Sequence, residues 1–135
     1  PAAAALWATL TGLAAAACYA LLTGTLGLAS RPGMLILLPL AHLAAAYYFQ
    51  WDMRSLNCNL VVLAAVLAGA HALTRGRDAA AGFWFALAVG LKFLPVLLLP
   101  YLLWIRRGRA FASAMVWSAV FWLLVPLVAF GWEGF

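Results

Sequence analysis

Apolar positions run along this chain in long unbroken blocks. The stretches 1–30, 32–51, 55–74, 79–91, 93–105 and 110–132 contain no Asp, Glu, Lys or Arg. A helix crosses a bilayer with roughly 20 apolar residues at about 1.5 Å of rise each, so most of these blocks predict spanning helices. Strands of a membrane β-barrel alternate apolar and polar positions over about ten residues, whereas 34–49 and 110–130 are apolar on every face. In hydrocarbon each segment must satisfy its own backbone hydrogen bonds, which leaves helices. The pattern predicts an all-α, polytopic transmembrane helical bundle over 1–135, with four full spans and a hairpin of two short helices.

The first span covers residues 3–29, with Gly12, Gly24 and Gly27 as small residues at which a neighbouring helix can approach. Arg31-Pro32-Gly33 ends it. The second covers 34–50, with a kink expected at Pro39 and an aromatic belt of Tyr47, Tyr48 and Trp51 at its far end. A loop follows over 52–57. The third span, 59–74, stops at Arg75-Gly76-Arg77-Asp78, and the last, 110–131, carries Pro126 and ends at Trp132-Glu133.

The segment 79–105 holds a single charge, Lys92, in its middle. It is either one tilted helix with a buried lysine or two short helices, 79–91 and 95–105, that turn back at Lys92. Pro95 favours an extended conformation in the residue before it. A single crossing puts Arg31, Arg75 and Arg77 on one side and Arg54, Arg106, Arg107 and Arg109 on the other, which carries no orientation signal. A hairpin leaves only Arg54 opposite the other six arginines, and positive-inside bias favours that arrangement. The 52–57 loop and the Lys92 turn then share the non-cytoplasmic side, and a turn at membrane depth requires a protein-lined or wet cavity at Lys92.

Composition fits the same picture. Charged residues make up 8% of the chain, about a third of the usual share, and mean hydropathy is +1.08. These values exclude a soluble enzyme, a nucleic-acid binder and a disulfide-stapled secreted domain. The net charge of +5 would suggest nucleic acid in a soluble protein, but it comes from arginines at the ends of apolar runs, which is a topology signal rather than a nucleic-acid phosphate-binding face. Cys18 and Cys58 lie in different runs and are expected to be free thiols. Basic residues that are almost all Arg, together with abundant Ala, point to a GC-rich bacterial genome and a multi-pass protein of the plasma membrane. The start, Pro1-Ala2-Ala3-Ala4-Ala5, has no initiating Met and no basic leader, so the chain is expected to be an excerpt of a longer membrane protein.

Two places invite chemistry. Asp52, Arg54, Asn57 and Asn59 are crowded into eight positions. They form either an interfacial loop, with Asp52 paired to Arg54 and Ser55 or Asn57 capping the next helix, or a binding edge for a hydroxyl-rich ligand, which amides and carboxylates suit. Lys92 either snorkels to the interface or, as an intramembrane cation, binds a lipid phosphate. His42 and His71 are isolated, with no partner spacing for a metal site, and Asp78 is expected to cap the helix it precedes. Nucleotide-binding loops, zinc-protease, serine-hydrolase and redox motifs do not occur. A transporter or flippase with a midplane site at Lys92 is the alternative reading, although no convincing internal repeat is seen. An assembly subunit whose polar loop has no catalytic role is a third.

Taken in order, D-x-R-x-x-N-x-N at Asp52, Arg54, Asn57 and Asn59, R-G-R at 75–77, A-G-x(9)-K-x-x-P from Ala81 to Pro95, and then R-R-x-R resemble glycosyltransferase family 87, over about Leu38 to Gly131. Where that family shows Gly-Gln, this chain has Leu56 and Asn57. The resemblance implies a GT-C fold and a hexosyltransferase, mannose being the typical sugar, that uses a polyprenyl-phosphate sugar donor and a lipid-linked or glycan acceptor on the non-cytoplasmic face. It implies a general base upstream of Pro1; no cofactor is identified from the sequence. Lys92 is then assigned to the donor phosphate, and Asp52, Arg54, Asn57 and Asn59 to the pocket rim.

Overall fold

The computed structural model describes residues 2–26, 33–55 and 57–131, all of them helical or in short connections. Gly27, Arg31, Pro32, Leu56, Trp132 and Glu133 lie outside the described residues, as do the side chains of Pro39 and His42. The helices are α1 (Ala2–Leu26), α2 (Met34–Arg54), α3 (Asn59–Thr74), α4 (Asp78–Leu91), α5 (Leu98–Trp104), α6 (Gly108–Ala119) and α7 (Val125–Phe130). A 3₁₀ turn, Leu94–Leu97, precedes α5, and a π turn, Val120–Leu124, joins α6 to α7. Two stretches are long and apolar enough to cross a membrane: Ala2–Thr25, and Gly108–Phe130 running through α6 and α7. Asn59–Thr74, Asp78–Leu91 and Leu94–Trp104 are apolar but shorter.

The chain divides into two compact units, 1–67 and 68–135. In the first, Ala and Leu give α1 high helix propensity, and its threonines are accommodated by bonding backward. Thr9, Thr11 and Thr23 donate to the carbonyls of Ala5, Trp7 and Tyr19 at 2.9, 2.8 and 2.9 Å, which satisfies each hydroxyl within the helix. Cys18 is buried and its Sγ lies 3.8 Å from the Leu60 carbonyl oxygen, which ties α1 to the start of α3. Both cysteines are free. Among the described residues no other atom comes within 4 Å of where a Cβ would stand at Gly12 or Gly24, so the close approach expected at those glycines does not occur there.

Helix α2 is continuous across Pro39 and runs one turn past the expected end of the span at residue 50, into the expected loop through Asp52 and Arg54. It ends where the Ser55 amide and hydroxyl both donate to the Trp51 carbonyl, at 2.9 and 2.7 Å, and the Asn57 amide donates to the Asp52 carbonyl at 3.0 Å. These bonds satisfy carbonyls that a helix end otherwise leaves open. Ser55 therefore closes α2 rather than capping α3. The first carbonyl of α3 to accept is that of Cys58, from the Val62 amide at 2.9 Å.

In the second unit α3 and α5 end in the same way. The Gly76 amide donates to Leu73 O at 3.0 Å and the Arg77 amide to Ala72 O at 2.9 Å; likewise Arg106 donates to Leu103 O at 3.0 Å and Arg107 to Leu102 O at 2.9 Å. This is the Schellman pattern, whose pivotal residue adopts a left-handed backbone. Gly76 has φ +69°, and Arg106 takes the equivalent place with φ +57°. Each turn leads directly into the next helix, α4 or α6.

Helices α4 and α6 run side by side in the same direction. Asp78 meets Arg107, Ser113 Oγ donates to the Ala79 carbonyl at 2.9 Å, Gly82 lies against Ala110 and Ala114, and Phe83 packs edge-on against Trp117 at 5.1 Å. Because α4 and α6 are parallel, the chain between them must return. It breaks at Lys92, whose backbone is extended at φ −152° and ψ 128°, and comes back through the 3₁₀ turn and α5. That path is about 18 Å long, against about 21 Å for α4. Ala81, Ala86, Ala88, Ala110 and Ala114 are buried, and small residues of this kind let two helices pack backbone to backbone. The π turn sits just ahead of Pro126, with the Val125 amide donating to Val120 O five residues back.

Candidate functional site

The first unit contains a groove of about 410 Å³ between the end of α2 and the start of α3. Ala45, Tyr48 and Asp52 fall on one face of α2 at helical spacing, with Trp51 beside them. Asn59, Leu60 and Leu63 line it from α3, and Asn57 from the connection. Tyr48 and Trp51 are well exposed, whereas Asp52 is only 7% exposed.

The Asp52 carboxylate accepts a hydrogen bond from Asn59 Nδ2 to its Oδ1 at 3.0 Å. That bond crosses from the last turns of α2 to the first residue of α3 and fixes the carboxylate at the groove. A buried carboxylate is held only when its acceptors are used. A carboxylate offers about four lone-pair directions, so one amide donor leaves capacity for ligand hydroxyls. Carboxylate, two amides and two amphipathic rings around an apolar floor are the chemistry of a pocket that orients a polar, hydroxyl-bearing molecule.

The sequence-selected residues divide as follows. Asp52, Asn57 and Asn59 come together on this groove. Arg54 does not: it is exposed in the last turn of α2, where a cation favours the helix dipole, and it is absent from the groove lining. The Asp52–Arg54 pairing expected of an interfacial loop is replaced by the Asp52–Asn59 bond, because continuing the helix to Arg54 separates residues two apart onto different faces. Lys92 belongs to the second unit. It is exposed at the break after α4, and its amide donates to Ala88 O at 3.0 Å. The neighbouring Phe93 ring meets Trp122 edge-on at 6.4 Å. His71 is half-buried in the last turn of α3, and no group of three His, Cys, Asp or Glu among the described residues is placed to hold a metal.

One polar contact was not anticipated from the sequence. Asp78 is the first residue of α4, where Arg77 occupies the capping position without a side-chain bond, and its Oδ1 accepts from Arg107 Nη1 at 3.2 Å. The carboxylate that was expected to cap α4 instead links the two Schellman turns. Its signal in the sequence was the pair of arginine motifs, R-G-R and R-R-x-R, which a returning chain brings to one end.

Among the described residues the chain is all-α, with two helices long and apolar enough to cross a membrane. The family model of glycosyltransferase family 87 matches residues 1–135. The chain is a member of glycosyltransferase family 87. No curated protein and no solved structure matches it.

Proposed function

We propose that the protein is a multi-pass enzyme of the bacterial plasma membrane that transfers a hexose, mannose in this reading, from a polyprenyl-phosphate donor to a lipid-linked or glycan acceptor on the non-cytoplasmic face. Family membership supports glycosyl transfer. The observation that carries the reading to particular residues is the buried Asp52 carboxylate, held by Asn59 at a groove lined by Asn57, Tyr48 and Trp51.

In this scheme a carboxylate base removes the proton of an acceptor hydroxyl, the oxygen attacks the anomeric carbon, and the bond to the phosphate oxygen breaks as polyprenyl phosphate leaves. Asp52, Asn57 and Asn59 orient sugar hydroxyls in the groove, Arg54 is exposed beyond it, and Lys92, in the other compact unit, is a separate candidate contact for phosphate charge. The donor is already activated through its phosphate ester, so no nucleotide-binding loop is needed. No observation favours the transporter alternative.

The test is sugar transfer in membranes containing the intact protein, supplied with polyprenyl-phosphate mannose. Wild type is compared with Asp52→Asn and Lys92→Met at matched expression. A loss of at least tenfold in both variants supports the assignment. Unchanged transfer reduces both residues to structural roles, and no transfer in wild type overturns mannose as the sugar.

A further inference from the structure

The end of the second unit away from Lys92 carries a concentration of positive charge that glycosyl transfer does not use. Because α5 returns the chain to the start of α4, Arg75 and Arg77 at one Schellman turn are brought to the same end as Arg106, Arg107 and Arg109 at the other. Asp78 is the acidic residue at this corner and its charge is taken by Arg107. Arg75, Arg77, Arg106 and Arg109 are exposed, and no carboxylate among the described residues pairs with them.

Between the turns is an open groove of about 450 Å³ lined by Gly76, Arg77, Asp78, Ala79, Ala80 and Arg109. Its floor is small side chains and its two cations come from successive turns. Several features place it at a membrane surface. Four apolar segments, α3, α4, α5 and the long α6–α7 stretch, start or end here. Trp104, two residues before Arg106, is 87% exposed, as expected of an aromatic at the headgroup level.

Residue 106 adds a further argument. At the equivalent position of the other turn the chain has Gly76, which adopts φ +69° without penalty. An arginine at φ +57° carries a backbone cost that glycine avoids. The side chain is exposed, so packing does not account for it. Its charge does.

We propose that this corner is a binding site for the phosphate of an anionic phospholipid headgroup, with Arg77 and Arg109 as the direct contacts and Arg75 and Arg106 as the surrounding field. Arginines present paired N–H donors that match phosphate oxygens, and basic pockets between membrane helices are suited to anionic headgroups. The apolar helices beside the groove accept the acyl chains, which a free phosphate ion lacks.

The intact protein in detergent is titrated with short-chain phosphatidylglycerol, with the zwitterionic phosphatidylcholine of the same chain length, and with sodium phosphate, and bound lipid is counted by native mass spectrometry. Phosphatidylglycerol is expected to occupy the protein at least fivefold more than phosphatidylcholine. Arg77→Gln with Arg109→Gln is expected to abolish that preference, and Arg77→Lys with Arg109→Lys to keep most of it. Lipid preference that survives in the glutamine variant, with its thermal midpoint unchanged, overturns the proposal. So does equal binding of the two lipids. Displacement of phosphatidylglycerol by millimolar sodium phosphate shows an anion site with no lipid selectivity and also overturns it.

Discussion

Gly82 sits against the backbone of Ala110: a Cβ at residue 82 would stand 2.5 Å from the Ala110 carbonyl oxygen and 2.6 Å from Ser113 Cβ. Backbone cannot move aside as a side-chain tip can, so the parallel packing of α4 and α6 depends on the absence of a side chain at this position. Gly82→Ala is expected to destabilise the protein by about 1–3 kcal/mol through overpacking, read as a fall in thermal midpoint in detergent. Gly90→Ala is the control. Its Cβ would meet Phe121 at an ordinary 3.4 Å, so the gain in helix propensity is expected to leave the midpoint equal or higher.

The Asp52–Asn59 bond leads to a second expectation. Asn59→Leu keeps the branched shape of the side chain but removes the donor, leaving a buried carboxylate short of a partner at a cost of about 1–3 kcal/mol. Asn59→Asp places a like charge 3.0 Å from Asp52 Oδ1 and is expected to cost more at neutral pH than at pH 4. Thermal midpoints at both pH values measure this. Equal losses for the aspartate variant at the two pH values would show that charge is not what the bond controls.

Arg106→Gly relieves a left-handed non-glycine residue and is expected to raise stability by up to about 1 kcal/mol, the strain relieved being partly offset by greater freedom of the unfolded chain. The reciprocal change, Gly76→Ala, is expected to lower it by a similar amount. Both are read from unfolding midpoints. A falling midpoint in Arg106→Gly would mean that its side chain makes a stabilising contact.

The hairpin expected from the charge pattern puts Cys58 outside the cell and Gly108 inside. In a Cys18→Ala background, Cys58 is expected to react with a membrane-impermeant maleimide added to intact cells. With Cys58 also replaced by Ala, Gly108→Cys is not, although no neighbouring atom lies within 4 Å of a Cβ there to block it. Labelling of residue 108 from outside would invert the orientation or open the return at Lys92 into a single crossing.

What the sequence revealed follows from which forces act locally. All-α character was legible because uncharged blocks leave the backbone no partner but itself. The ends of α3 and α5 were marked by Arg-Gly-Arg and Arg-Arg-Gly-Arg, since turn chemistry is written in adjacent residues. The continuation of α2 to Arg54 was hidden: polar side chains resemble a loop by composition, yet Trp51, Asp52 and Arg54 hold helical geometry and their end is closed by Ser55. Gly12, Gly24, Gly69 and Gly82 look alike in sequence. Only tertiary contact separates Gly12 and Gly24, which face no neighbour, from Gly82 on Ala110 and from Gly69, where a Cβ would stand 2.6 Å from the Phe85 ring. The Asp78–Arg107 pair spans 29 residues and depends on the direction of α5, which no local pattern specifies.

The parallel arrangement of α4 and α6 also sets an order of events during synthesis. Phe83 has its partners at Trp117 and Phe121, so α4 cannot reach its final packing until nearly forty further residues have been made. At a ribosome rate of about 5–20 residues per second, α4 waits roughly two to eight seconds for the face it docks on. During that interval it is an apolar helix of about 21 Å, too short to span a bilayer core of about 30 Å unaided. Until α6 arrives, the translocation machinery or the lipid surface must shelter it.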